Sequence, residues 1–361
     1  MSSPADAHFM SAALRLAGRG LFTTTPNPRV GCVIVRDGAI VGEGFHERAG
    51  EPHAEARALR AAGERAAGAT VYLSLEPCSH YGRTPPCVDA LIAARVRRVV
   101  AAMQDPNPRI AGAGFARLRA AGVEVESGLL EDEARELNIG FVARMTRGRP
   151  WVRLKVAASL DGKTALGNGR SQWITGEAAR ADGHHWRARA CAVLTGIGTV
   201  KDDDPQLTVR AVETSRQPLK VLVDSRLEAT LDARVFAGGN ALVAAAIGNR
   251  DRIERLRERG VEVVLLPNAS GKVELTELMH ELARRELNEI HVEAGFKLNG
   301  SLVAAGVVDE LVVYLAPSVI GESGRGMFDL PEIADLAGRR RLALRDVQRI
   351  GEDLRLVARL A

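Results

Sequence analysis

The sequence predicts two consecutive α/β domains. Three observations predict it. The chain has 361 residues, about twice the ~150 of an ordinary domain. Helical and strand patterns alternate through both halves, as in sheets covered by helices. At Arg147-Gly148-Arg149-Pro150, Gly and Pro interrupt regular structure before a new strand begins at Trp151. The boundary falls there, giving domains 1–147 and 148–361.

The first half opens with a helix over Ala7 to Leu16, stopped at Gly18 and Gly20. Strands at Val30 to Val35 and Ile40 to Val41 flank an Asp37-Gly38 turn. A helix over His53 to Ala67, a strand over Thr70 to Leu75, a helix over Pro85 to Arg95 and a strand over Arg98 to Ala102 follow. Ala113 to Ala121 is a helix ended by Gly122, Val123 to Val125 a strand, and Glu131 to Met145 a helix. The second half restarts the alternation. Its strands are Trp151 to Ala157, Ala192 to Thr195, Lys220 to Val223, Ala241 to Ala246, Val261 to Leu266, Glu289 to Val292 and Glu310 to Leu315. Helices at Ala178 to Arg189, Arg250 to Arg259 and Leu275 to Leu287 lie between several of them. The halves share no internal repeat, so two different modules are joined.

Composition narrows the partners. Hydrophobic residues at 46% and charged residues at 26% are ordinary for a globular chain and exclude disorder or a coiled-coil rod. The net charge of +4 is shared equally by the halves, with no basic block or tail, so no nucleic-acid partner is expected. No run approaches the ~20 apolar residues of a membrane helix. The first residues, with Asp6 and His8, do not form a signal peptide. The expectation is a cytoplasmic protein without a membrane partner. Cys32, Cys78, Cys87 and Cys191 are too few for a disulfide scaffold, and Cys78 and Cys87 form the pair to examine for metal binding.

His53-Ala54-Glu55 opens a helix behind Pro52, Pro77-Cys78 follows a strand, and Cys87 opens the next helix behind Pro85-Pro86. Imidazole and thiolate suit Zn²⁺, and three protein ligands leave the fourth position for water, whose pKa the metal lowers to ~7. A helix N-terminus helps Cys87 lose its proton. Glu55 lies about 200° around an ideal helix from His53, so it is free to shuttle a proton while His53 binds metal. That is the zinc-deaminase pattern of His-x-Glu, then Pro-Cys, then a second Cys. Singly, these residues read as an exposed helix face and buried thiols, with Cys32 in the core. A closed structural zinc site with His80 as fourth ligand, a deaminase of another nucleobase or of an RNA base, and a zinc-stabilised binding module without turnover stay open at this point.

The stretch from Glu76 through Cys78 to Cys87, with Thr25-Pro-Asn-Pro-Arg-Val-Gly31 upstream, resembles the bifunctional riboflavin-biosynthesis deaminase/reductase family. In the second half Lys155 to Lys163, Ser171 to Gly176, Gly196 to Arg210, Val223 to Arg226 and Val292 to Gly295 are similar to its reductase domain, in the same order. The resemblance implies an N-terminal cytidine-deaminase-like three-layer α/β/α domain followed by a dihydrofolate-reductase-like α/β domain. The implied chemistry is hydrolytic deamination of a phosphoribosylamino diaminopyrimidine, then NADPH-dependent reduction of its ribosyl group to ribityl. His53, Cys78 and Cys87 become zinc ligands, Glu55 the proton shuttle, and Asn27, His46, His80, Arg83 and Thr84 substrate contacts. In the reductase the resemblance places Ser171, Arg187, Leu207, Arg210 and Glu293 on the substrate. NADPH falls to Ala157, Trp173, Thr199, Asp203, Ser225, Gly295, Phe296, Lys297, Leu298, Asn299, Gly300 and Ser301. Lys155 and Asp203 are the polar groups near hydride transfer, and Arg187 and Arg210 a phosphate clamp. A homodimer is implied as well.

Four features stand apart. Ala294 occupies a place where the family often has glycine, and Phe296-Lys297 replaces a smaller, usually Pro-containing loop. Gly196-Ile-Gly198 lacks the third glycine of a Rossmann fingerprint. Only six of the 49 basic residues are lysines, and none precedes Lys155.

Overall fold

The computed structural model describes residues 3–81 and 85–360, and the chain divides into two compact units, Met1–Gly148 and Arg149–Ala361. Arg83 and Thr84 lie outside the described residues.

The first unit runs α1 (Pro4–Gly18), β1 (Gly31–Arg36), β2 (Ala39–Phe45), α2 (Ala54–Ala62), β3 (Thr70–Leu73), α3 (Cys87–Ala93), β4 (Arg98–Ala101), α4 (Ala113–Ala120), β5 (Glu124–Ser127), α5 (Glu131–Leu137) and α6 (Ile139–Arg147). Its sheet has the order β2-β1-β3-β4-β5, with β1 antiparallel to both neighbours and β3, β4 and β5 parallel. Alternation along β1 divides the core in two. Cys32 and Ile34 join Ala54, Ala58, Val88, Leu91, Phe115 and Leu118 from α2, α3 and α4. Val33 and Val35 join Met10, Ala13 and Ala134 from α1 and α5. The result is three layers, helices on both sheet faces, with Cys32 in the core.

The second unit runs β6 (Trp151–Ser159), α7 (Glu177–Arg189), β7 (Ala192–Gly196), α8 (Ile197–Asp203), β8 (Leu219–Val223), β9 (Ala241–Ala245), α9 (Arg250–Glu258), β10 (Val261–Leu265), α10 (Leu275–Arg284), β11 (Glu289–Val292), α11 (Phe296–Ala304), β12 (Glu310–Ala316), β13 (Leu342–Ile350) and β14 (Asp353–Leu360). Its sheet has the order β10-β9-β8-β7-β11-β6-β12-β14-β13. The strands from β10 to β12 are parallel, and the C-terminal hairpin adds the antiparallel β14 and β13 at one edge. Val152, Leu154 and Val156 of β6 enter a core with α10 and α11. The alternate residues, Arg153 and Lys155 among them, therefore take the opposite face. There Arg153 is buried between Glu289 (3.1 Å) and Glu310 (2.6 Å).

Several elements differ from the sequence expectation. The helix expected over Glu131 to Met145 is two helices, α5 and α6, meeting at Asn138, whose buried side chain accepts from the Arg29 N–H and donates to the Arg29 carbonyl. Side-chain bonds to a distant backbone outweigh helix continuity there. The helices α8 and α11 and the strands β13 and β14 were not expected. No helix among the described residues is long and apolar enough to cross a membrane.

Candidate active sites

In the first unit glycines set the position of the chemistry. A Cβ on Gly44 would stand 2.4 Å from the Ala54 carbonyl oxygen, and one on Gly42 2.3 Å from that of Ala58, so bare backbone in β2 lets α2 sit against it. His53 is the N-cap residue of α2 and makes no capping hydrogen bond. Its Nδ1 instead lies 3.6 Å from Cys78 Sγ and 3.3 Å from Cys87 Sγ. Cys87 is the first residue of α3, and its backbone N–H donates to Cys78 Sγ at 3.2 Å. The three ligand atoms lie within 4.8 Å of one another.

This donor set fits zinc. Tetrahedral bonds of ~2.0 Å to nitrogen and ~2.3 Å to sulfur place N and S about 3.5 Å apart, close to the spacings seen. Hydrogen bonding from Cys87, aided by His53 and opposed by burial, draws the Cys78 thiol down to about 4. The bond to Cys78 raises His53. Glu55, in the first turn of α2, is only 3% exposed. Burial, and then the neighbouring Cys78 charge, push its carboxyl up.

A second carboxylate organises the site from outside. Glu76, buried just before Pro77-Cys78, accepts backbone N–H groups of Asp105 (3.0 Å), Gly112 (2.9 Å), Gly114 (2.8 Å) and Phe115 (3.4 Å). It ties the end of β3, which carries Cys78, to the loop after its parallel neighbour β4. Gly114 completes the fit, since a Cβ there would meet the Pro77 carbonyl oxygen at 2.4 Å.

Asn27 and His46 are brought together: Asn27 Nδ2 lies 2.9 Å from His46 Nε2, and His46 Nδ1 faces the Pro52 carbonyl at 3.4 Å. Burial lowers the His46 pKa. A neutral ring that donates through Nδ1 and accepts at Nε2 satisfies both contacts. His46 is 3% exposed and is positioned to orient Asn27. His80 is exposed and stands outside the metal cluster. Sequence reasoning missed Asp105, whose carboxyl is pushed up chiefly by burial and stands near His80 and Cys78. Its signal was available: Asp105-Pro106-Asn107-Pro108 follows a parallel strand, at the end where α/β sheets gather ligands.

The second unit holds a cleft of about 1090 Å³ along the carboxyl ends of its parallel strands. Lys155 and Ala157 of β6, Glu293 and Gly295 after β11, Thr199 of α8 and Ser225 after β8 all line it. Glu293 is the electrostatic centre. It forms a two-pronged ion pair with Arg187 through Nε and, at 2.8 Å, Nη2, while Arg187 Nη1 donates to the Thr208 carbonyl at 3.0 Å. The Arg187 charge holds Glu293 well below the usual carboxylate range despite its burial. Desolvation lowers the Lys155 ammonium, Glu293 opposing and Arg187 adding to the shift. Burial, with Arg187 and Arg210 nearby, lowers His184 to about 4, and its Nδ1 accepts the Arg210 backbone N–H at 3.2 Å.

The cleft also fits a dinucleotide. The helix α11 starts at Gly295 with no side-chain cap, so its first N–H groups stay available for a pyrophosphate, and Gly295 to Asn299 border the cleft.

Comparison with known proteins separates the alternatives. The model of the cytidine and deoxycytidylate deaminase zinc-binding region matches residues 3–103, and that of the RibD C-terminal domain matches residues 150–356. The riboflavin biosynthesis protein RibD of Escherichia coli is 48% identical, over 97% of this chain and 98% of that one. The chain belongs to the RibD family.

Solved structures agree. RibD of Acinetobacter baumannii matches with a TM-score of 0.93 at 44% identity, over 99% of each chain. A diaminohydroxyphosphoribosylaminopyrimidine deaminase/5-amino-6-(5-phosphoribosylamino)uracil reductase from Thermotoga maritima matches at 0.87 and 33% identity, again over 99% of each. As a RibD-family chain, it is a bifunctional enzyme of riboflavin biosynthesis, a zinc-dependent deaminase and an NADPH-dependent reductase.

Within that frame, Ser171, Trp173, Asp203, Leu207, Arg210, Phe296, Lys297, Leu298 and Ser301 also line the cleft. Two of the expected residues also have packing partners. Gly300 does not border the cleft; a Cβ there would stand 1.9 Å from the Asp329 carbonyl oxygen, so its role is to let α11 pack on that backbone. Asp203 Oδ1 accepts from Ser171 Oγ (3.2 Å) and Gln172 Nε2 (3.1 Å), which makes it an anchor for the Ser171 segment. Both arginines of the expected phosphate clamp line the cleft. Glu293 neutralises Arg187, whereas Arg210, whose Nη1 donates only to Thr208 Oγ1 (2.9 Å), and Arg234, a residue sequence reasoning missed, bring positive charge to the cleft.

Proposed function

We propose that residues 1–147 deaminate a phosphoribosylamino diaminopyrimidine and residues 148–361 reduce the ribosyl group of the product to ribityl. The meeting of His53, Cys78 and Cys87 beside the buried Glu55 carries the first assignment. His53, Cys78 and Cys87 hold zinc, which when bound makes water acidic enough to attack at neutral pH. Glu55 takes the proton of the attacking water at its carboxylate and returns it to the leaving amine, which departs as ammonia. Asn27, oriented by His46, and His80 hold the pyrimidine, with Asp105 supporting that wall. Arg83 and Thr84 are proposed from the family pattern alone.

In the second unit NADPH supplies the hydride. Lys155 gives a proton to the sugar oxygen as the ribose ring opens, and Glu293 and Arg187 fix its surroundings. Arg210 binds the substrate phosphate, a task that suits a guanidinium with uncommitted donors. Ser171 and Leu207 border the sugar.

The enzyme acts in the cytoplasm as a homodimer. The long edge strand β13, with Leu344 65% and Val347 55% exposed, supports the dimer because bare apolar edges are normally covered.

Glu55→Gln tests the deaminase assignment. The variant retains one zinc per chain by elemental analysis and loses ammonia release by at least about 100-fold, the usual size of a general acid–base contribution. Undiminished ammonia release from the zinc-loaded variant contradicts the role.

A further inference from the structure

The geometry points to Arg226 and Lys272 as the residues that select NADPH over NADH by binding the 2′-phosphate of the cofactor. The inference rests on the assignment of the second unit's cleft to the dinucleotide. Ser225 and Arg226 lie two and three residues beyond β8, and Ser225 Oγ accepts the Val273 backbone N–H at 3.2 Å. That bond draws the Ser270–Lys272 turn to the end of β8. Arg226 and Lys272, each next in sequence to one bonded residue, are thereby brought to one wall, and both border the cleft. Among the described residues neither charged group forms a hydrogen bond or ion pair, although the Arg226 charge acts on Glu228. Glu228, the carboxylate on the same wall, is paired with Lys201.

Strand order says which part of the cofactor meets this corner. From Lys155 and Ala157 on β6, the sheet runs through β11, with Glu293 and the start of α11 behind it, then β7, then β8. At ~4.8 Å per strand, β8 lies about 14 Å from β6. NADPH runs in the chemical order nicotinamide, ribose, pyrophosphate, then the adenosine ribose that bears the 2′-phosphate. With nicotinamide beside Lys155 and pyrophosphate at the N-terminus of α11, the adenosine ribose falls beside β8. A phosphate monoester there meets a guanidinium and an ammonium, both able to form charge-assisted hydrogen bonds. The substrate phosphate has its own cations, Arg210 and the neighbouring Arg234, which also line the cleft. The scarcity of lysine also gains meaning, since Lys155, Lys272 and Lys297, half of the six, border this one cleft.

The test is calorimetric titration of the full zinc-loaded chain with NADPH, NADH, adenosine 2′,5′-bisphosphate, 5′-AMP and ribose 5-phosphate, for the wild type, Arg226→Ala, Lys272→Ala and the double variant. The wild type binds NADPH more tightly than NADH, and the bisphosphate more tightly than 5′-AMP. Each single variant weakens NADPH and the bisphosphate by about tenfold or more, with NADH and 5′-AMP unchanged within twofold. Equal weakening of NADPH and NADH, or no weakening of either, overturns the assignment. Weakening of ribose 5-phosphate alone instead assigns the corner to the substrate phosphate. A wild type that binds neither dinucleotide overturns the cleft reading itself, which separates the two failures.

Discussion

Glu76 illustrates how a side chain governs a metal site that it does not touch. Its carboxylate accepts four backbone N–H groups from a loop and a helix start that flank Cys78. Glu76→Gln keeps the shape but points an amide N–H₂ at backbone donors. The variant is expected to lose about 2–3 kcal/mol of stability, the cost of buried donors left unmet. Zinc affinity is expected to fall about 10- to 100-fold, as for lost outer-shell partners. Urea unfolding of the intact chain and zinc competition with a chelator read the two effects; a variant with wild-type values in both shows the hydrogen-bond set to be dispensable. The ligands themselves were legible in the sequence, because His, Cys and Cys stood at element ends beside prolines. The Glu76 network was not, since backbone donors leave no trace in residue identity. The covering of His46 was hidden for the same reason: it follows from the Pro52 carbonyl and Asn27, which only the fold brings together.

Elements show the same division between pattern and packing. Parallel strands such as β7, β8 and β9 were legible as short apolar runs bounded by turns. The strand β13 was not, because its apolar residues Leu342, Leu344, Val347 and Ile350 lose regular alternation where the register shifts between Leu344 and Asp346. The helices α8 and α11 start at glycines without side-chain caps, so the usual start signal is missing. For α11 this absence leaves its first N–H groups open, and its packing depends on Gly300. Gly300→Ala pushes a methyl into the Asp329 backbone and is expected to cost about 1–3 kcal/mol, as overpacking does. Urea unfolding checks it. Unchanged stability combined with lost NADPH affinity shows instead that Gly300 touches the cofactor directly.

For the molecule as a whole, the break at Arg147 to Pro150 marked the joint between two unlike modules, and the structure divides between Gly148 and Arg149. Deamination leaves the ribosyl group intact, so the product of the first site is a compound that the second site can reduce, in the order proposed above. The most direct test is one time course on purified zinc-loaded protein with the phosphoribosyl diaminopyrimidine and NADPH, following ammonia release and NADPH oxidation together. Ammonia is expected to appear first, with NADPH loss following to an equal final amount. NADPH oxidation without ammonia, or ammonia with no NADPH oxidation at all, contradicts the account.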